Sequence, residues 1–140
     1  MKIYARNLLA KKTMLAIGLL ILLGLIYVHA MASDRFVDNG DGTVTDTKTG
    51  LMWATNDNGG PINWKDARSY CQSYRGGGHT DWRMPTLAEL KSLYDPEIKN
   101  KRGYHIPKLI DTTAETCWAS ETRGEIAARF NFRFYDQKKG

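Results

Sequence analysis

The thirteen residues Gly78-His79-Thr80-Asp81-Trp82-Arg83-Met84-Pro85-Thr86-Leu87-Ala88-Glu89-Leu90 decide how this chain folds. A glycine turn, a short aromatic strand, a proline and the start of a helix are expected to follow one another without a gap. Thr86 with Glu89 three residues on predicts a capping box, in which each side chain satisfies the other residue's free backbone N–H. Pro85 favours an extended Met84 before it. The chain is therefore expected to leave a strand here and enter a helix.

Upstream, Phe36-Val37 and Thr43-Val44-Thr45 flank a Gly-rich turn, with Gly40 and Gly42 free to take positive φ, and predict a β-hairpin. Thr49-Gly50 turns into a third short strand, Leu51-Met52-Trp53. Asn63 is the expected cap of a helix over about Trp64 to Tyr74. Trp64, Ala67, Tyr70, Cys71 and Tyr74 recur there at helical spacing. Gly76-Gly77-Gly78 stops that helix. The second helix runs from about Leu87 to Tyr94 and ends at Asp95-Pro96. Glu97 to Ala114 has no clear period, which is uncommon unless the segment wraps the domain or serves a purpose. Thr116 to Ser120 reads as a strand. In Ala128 to Phe134 the alternation of Phe130, Phe132 and Phe134 with Arg129, Asn131 and Arg133 predicts a half-buried strand. Hairpins of short strands plus two helices make an α+β fold with an antiparallel sheet.

The first 32 residues read as a separate unit. Lys2, Arg6, Lys11 and Lys12 precede an uncharged apolar run from Met14 to Val28, and Ala30-Met31-Ala32 offers a small-x-small cleavage site. That is the anatomy of a signal peptide; retained, residues 14–30 would be an N-terminal membrane anchor, although shorter than the roughly 20 residues of a spanning helix. Both readings export residues 33–140 to the periplasm or cell surface. Four of the 20 Lys and Arg lie before residue 33, leaving 16 against 15 Asp and Glu. So small an excess lacks the concentrated positive footprint of a nucleic-acid binder.

Cys71 and Cys117 are the two cysteines. In an oxidising compartment the expectation is a structural disulfide, contributing about 3–4 kcal/mol by chain entropy. The alternative is a reactive thiol or metal ligand, for which no His, Cys or acidic partner stands at ligand spacing. Asp38-Asn39-Gly40-Asp41-Gly42 carries oxygen donors but places glycines at the third and fifth positions of an EF-hand loop, and no Glu closes it, so it reads as a turn. The four tryptophans, all in expected regular elements, read as core. We expect no metal and no cofactor.

Lys99, Lys101, Arg102, His105 and Lys108 crowd the unpatterned loop beside Tyr104, flanked by Glu97 and Asp111. Loops on a rigid scaffold are where binding residues concentrate. Those cations are the candidate contacts for sulfate or carboxylate groups, with Arg102 able to grip bidentately and Tyr104 as a stacking surface. The bland alternative is a solvated charged loop. His29, His79 and His105 form no local nucleophile–base motif, so catalysis is not expected.

The stretch at residues 78–90, read with Arg35-Phe36-Val37-Asp38-Asn39-Gly40-Asp41-Gly42-Thr43-Val44-Thr45-Asp46-Thr47-Lys48-Thr49-Gly50-Leu51-Met52-Trp53, closely resembles the C-terminal domain of the Legionella collagen-like adhesin, from about Arg35 to Phe134. The resemblance implies a C-type lectin-like fold with two helices, an antiparallel sheet and a long loop excursion. It implies surface adhesion or envelope binding, and in the family's named member the domain engages sulfated glycosaminoglycans. The same fold serves formylglycine-generating enzymes, which makes an oxidase using Cys71 and Cys117 the remote alternative. Family members usually continue past the Phe-rich strand into a further strand carrying a cysteine. The expectation is a domain without that last strand, with either Cys71–Cys117 as a substitute bridge or both thiols unpaired in a truncated copy, and an open sheet edge beside Phe130 to Phe134. A partner chain pairing with that edge is the structural alternative to glycan binding.

Overall fold

Between Asp38 and Thr43 the chain reverses direction, and its side chains do the work that a metal would otherwise invite. Asp38 accepts a hydrogen bond from the N–H of Gly40 at 2.9 Å. Asp41 accepts from both the N–H and the hydroxyl of Thr43, at 3.0 and 2.6 Å. These are local Asx contacts that favour a turn. Strands β1 (Phe36–Asp38), β2 (Thr43–Asp46) and β3 (Leu51–Ala54) form a three-stranded antiparallel sheet in sequence order. The computed structural model describes residues 34–134. The apolar segment at 14–30, its cleavage site and the last six residues lie outside the described residues.

Asp46 closes the turn from β2 to β3. Its carboxylate is fully buried and receives the Arg35 guanidinium at 2.8 and 2.7 Å, the N–H of Lys48 at 3.0 Å and the Thr49 hydroxyl at 2.9 Å. A buried carboxylate needs this degree of pairing to stay ionised. Helix α1 (Trp64–Ser73) is capped by Asn63, which accepts from the N–H of Asp66 at 2.9 Å. Of its expected apolar face only Ala67 is buried, while Tyr70 is 38% exposed. The helix leans on the domain along one edge instead of sinking into it. A one-turn 3₁₀ segment follows at Gly76–Gly78. Gly77 has φ of 61°, and a Cβ there would lie 2.9 Å from the Thr43 methyl, so the glycine permits close packing against the first hairpin.

Helix α2 (Leu87–Leu93) carries the expected capping box between Thr86 and Glu89. Leu90 and Leu93 are buried, whereas Leu87 remains 38% exposed. The segment before it, expected as a strand, forms none, because single contacts rather than a ladder stitch it to the following sheet. The N–H of Ser120 donates to the Pro85 carbonyl at 2.8 Å, and that of Leu87 donates to the Glu121 carboxylate at 2.9 Å. Strands β4 (Thr116–Arg123) and β5 (Ile126–Asn131) form a separate two-stranded antiparallel sheet. The α+β class stands, with two sheets in place of the single one expected.

The core lies where α2, the loop after it and the second sheet meet. Leu90, Leu93, Ile106, Ile110, Ala119, Phe130 and Phe132 pack together there. Phe130 and Phe132 meet edge to face with ring centroids 4.8 Å apart. Phe134 does not join them and is 75% exposed. The Asn131 side chain accepts from the N–H groups of Arg133 and Phe134 at 2.7 and 3.1 Å. That turn ends the alternation three residues earlier than the sequence predicts.

Nor do the tryptophans lie deep in the core. Trp53, Trp64, Trp82 and Trp118 are all half-buried. Three donate their ring N–H to a carbonyl, Trp64 to Ala119 at 2.7 Å, Trp82 to Gly76 at 3.1 Å and Trp118 to Ile62 at 2.8 Å. The first and third of these bonds tie the start of α1 to β4. Rings anchored by their polar edge hold separate segments together at the core margin.

Candidate functional site

The loop after α2 has no helical or strand period, yet its backbone is fixed. Asn100, 5% exposed, is its centre. The side-chain oxygen accepts from the N–H groups of Arg102 and Tyr104 at 3.0 and 3.1 Å, and the amide donates to the Ile110 carbonyl at 3.2 Å. One buried amide thereby closes the loop upon itself. Ile106, Pro107 and Ile110 drop into the core, and the N–H of His105 donates to the Phe132 carbonyl at 2.9 Å. At the far end, the N–H of Asp111 donates to the Thr55 carbonyl at 2.7 Å, and Asp57 receives the N–H and hydroxyl of Thr113. The loop wraps the domain.

Its six candidate binding residues divide into three groups. Lys101 and Arg102 converge on Asp111, with the Lys101 ammonium 2.8 Å from one carboxylate oxygen and the Arg102 Nε 2.8 Å from the other. Hydrogen bonds from Lys101 and then Arg102 push the Asp111 carboxyl below its ordinary range. Both cations remain at the surface, held in place. Lys99 and Lys108 are exposed, and neither joins an ion pair among the described residues. The last two turn inward. His105 places Nδ1 3.1 Å from the Ile98 carbonyl and its ring 5.5 Å from that of Tyr94, while Tyr104 packs against the core. His105 and Tyr104 therefore support the loop, leaving four exposed cations as its outer surface.

The cysteines carry free thiols in this structure and form no bridge. Helix α1 meets β4 through Trp64 at its first turn, a full seven positions before Cys71. Burial raises the pKa of both thiols, that of Cys117 to about 12. Thiols held in the protonated form are poor nucleophiles. Among the described residues no group of three or more His, Cys, Asp or Glu is placed to hold a metal ion.

A second feature was invisible in the sequence. A partly open cleft of about 700 Å³ lies between β3, α1, the segment 79–85 and the start of β4. Trp53, Met84, Cys71, Cys117, Trp118 and Thr112 are among the residues that line it. Their separations in sequence explain why no local motif betrays it. The cleft also explains why α1 and the tryptophans remain half-buried, since the face they turn inward meets open volume.

The family model of the Lcl C-terminal domain matches residues 42–140. The chain belongs to that family. No curated protein and no solved structure matches it. The Lcl C-terminal domain is of the kind carried by surface or secreted bacterial proteins. Both the wrapped loop and the cleft fall within the matched region. No helix among the described residues is long and apolar enough to cross a membrane.

Proposed function

We propose that this Lcl C-terminal domain is an exported, non-catalytic binding module of the bacterial envelope or surface. Its contact surface is the wrapped loop, and its ligand class is an acidic or sulfated glycan. One observation carries the reading: Lys99, Lys101, Arg102 and Lys108 all stand exposed on a backbone that the buried Asn100 holds rigid. A fixed array of cations binds a polyanion with less ordering cost than a mobile one. Asp111 neutralises part of this charge but also orients two of the four side chains. The remaining guanidinium and ammonium donors point to water and can meet an anion.

The raised thiol pKa values and the lack of a local nucleophile–base pair support the non-catalytic part of the reading. The test is retention of the full chain on immobilised heparin across a salt gradient, beside a variant with Lys99, Lys101, Arg102 and Lys108 changed to Ser. Retention that weakens with salt and disappears in a folded variant supports the reading. Equal retention of both proteins, or none by either, removes the loop as a polyanion site.

A further inference from the structure

We propose that Asp111 is a specificity-determining residue of the wrapped loop, its carboxylate filling the position that an anionic group of the ligand must take. The ligand is then one that presents several anionic groups at close spacing, because a lone carboxylate or sulfate gains nothing by the exchange. This inference rests on the reading of the loop as a polyanion surface.

Lys101, Arg102 and Asp111 already form an anion site with an anion in it. The Lys101 ammonium lies 2.8 Å from Oδ2 of Asp111 and the Arg102 Nε 2.8 Å from Oδ1, so each carboxylate oxygen has its own cation. Nη2 of Arg102 adds a longer contact to Oδ2 at 3.5 Å. The backbone fixes both sides of the arrangement. The N–H of Asp111 donates to the Thr55 carbonyl at 2.7 Å, and that of Arg102 donates to the Asn100 side chain at 3.0 Å. The Asp111 side chain is 17% exposed, against 71% for Lys101 and 43% for Arg102, so the carboxylate lies deeper than either cation.

The best-placed donors of the loop are therefore occupied. A carboxylate tethered to the same chain faces them at an effective concentration of about millimolar, and a free monoanion below that level does not displace it. Exchanging one such anion for another also yields no net charge-assisted hydrogen bond. A polyanion escapes this limit. Lys99 and Lys108, exposed and outside any ion pair among the described residues, hold its first groups. The next group along the same ligand then competes with Asp111 on equal terms. Asp111 also orders Lys101 and Arg102, but a surface ion pair gains little by that ordering, so the blocking effect decides the sign.

The test is the affinity of the full chain for heparin, measured by titration calorimetry on the native protein, Asp111→Asn, Asp111→Glu and Glu97→Gln. Glu97→Gln makes the same change of charge in the same loop, at an exposed residue outside any ion pair among the described residues. Asp111→Asn should bind about threefold to fivefold more tightly, the worth of an exposed ion pair. Glu97→Gln, acting through screened charge alone, should gain less than about twofold. Asp111→Glu keeps the carboxylate and should bind as the native chain does. A heparin tetrasaccharide should displace heparin from the native chain, and N-acetylglucosamine 6-sulfate at equal sulfate concentration should not. The role of Asp111 is overturned, with the loop still a polyanion surface, if Asp111→Asn binds no more tightly than Glu97→Gln. Asp111→Glu matching Asp111→Asn, or the monosulfate competing as well as the tetrasaccharide, would overturn it too. Absence of heparin binding by both the native chain and Asp111→Asn removes the underlying reading as well. Asp111→Ser, which also lacks the carboxylate, replaces Asp111→Asn if that variant fails to fold.

Discussion

Replacing Asp46 with Asn should remove one source of this domain's sensitivity to acid. In the native fold, hydrogen bonds from Arg35 hold the Asp46 carboxyl down at about 2, against 3.8 in the unfolded chain. Between those values the unfolded chain binds a proton that the folded chain refuses, so stability rises with pH across that interval. The contribution is complete above about pH 5 and gone below about pH 2. Converted in full, the shift is worth about 2.5 kcal/mol. The Arg35 side chain is 31% exposed, and solvent screening reduces the value to about 1–2 kcal/mol. At pH 7, Asp46→Asn should cost about 2–4 kcal/mol, because the amide turns donors toward Arg35 and loses acceptor sites used by Lys48 and Thr49. Against a total stability of about 5–15 kcal/mol the variant remains measurable. Urea denaturation of both proteins at half-unit steps from pH 7 to 2.5 is the assay. Arg83 holds the Glu89 carboxyl at about 2 as well, so the native curve has more than one source and only the difference between the two proteins reports Asp46. The gap should narrow as pH falls through the interval. A constant gap would refute the assignment of the acid sensitivity to this carboxylate.

Asn100→Ala, which leaves three backbone hydrogen-bond partners unmet, one of them buried, should cost about 2–3 kcal/mol in denaturant and speed tryptic cleavage after Lys99, Lys101 or Arg102. Phe132→Ala should cost about 3–5 kcal/mol, measured the same way, because the ring is fully buried and packs on Phe130. Phe134→Ala, at an exposed position, should change stability by less than about 0.5 kcal/mol. For the thiols, maleimide labelling of the native chain at pH 7.5 should be far slower at Cys117 than in urea. Equal rates would contradict its burial.

The capping box at Thr86 and Glu89, the Asn63 cap and the hairpin turns were legible because each is settled within a few residues. The β5 alternation was legible through Phe132 and failed at Phe134, where the Asn131 side chain has turned the backbone away. The loop at 97–111 defeated pattern reading for another reason. A buried amide, a core insertion and an ion-pair cluster hold it, and none of these has a period. Arg102 and Asp111 lie nine residues apart, and the loop's path decides that they meet.

By itself, the sequence determined the α+β class, the order of the two helices and of the strands that form, the family and the cationic character of the long loop. These follow from spacing, caps and turn chemistry, whose forces act over one or two turns of chain. Tertiary structure alone decided that the sheet is split in two, that His105 and Tyr104 turn inward, that Asp111 gathers Lys101 and Arg102, and that the cysteines stand as free thiols. It also decided the cleft, which Trp53 and Thr112, 59 residues apart, help to line. Which distant side chains share a space depends on how whole elements pack, and no local pattern of residues records that.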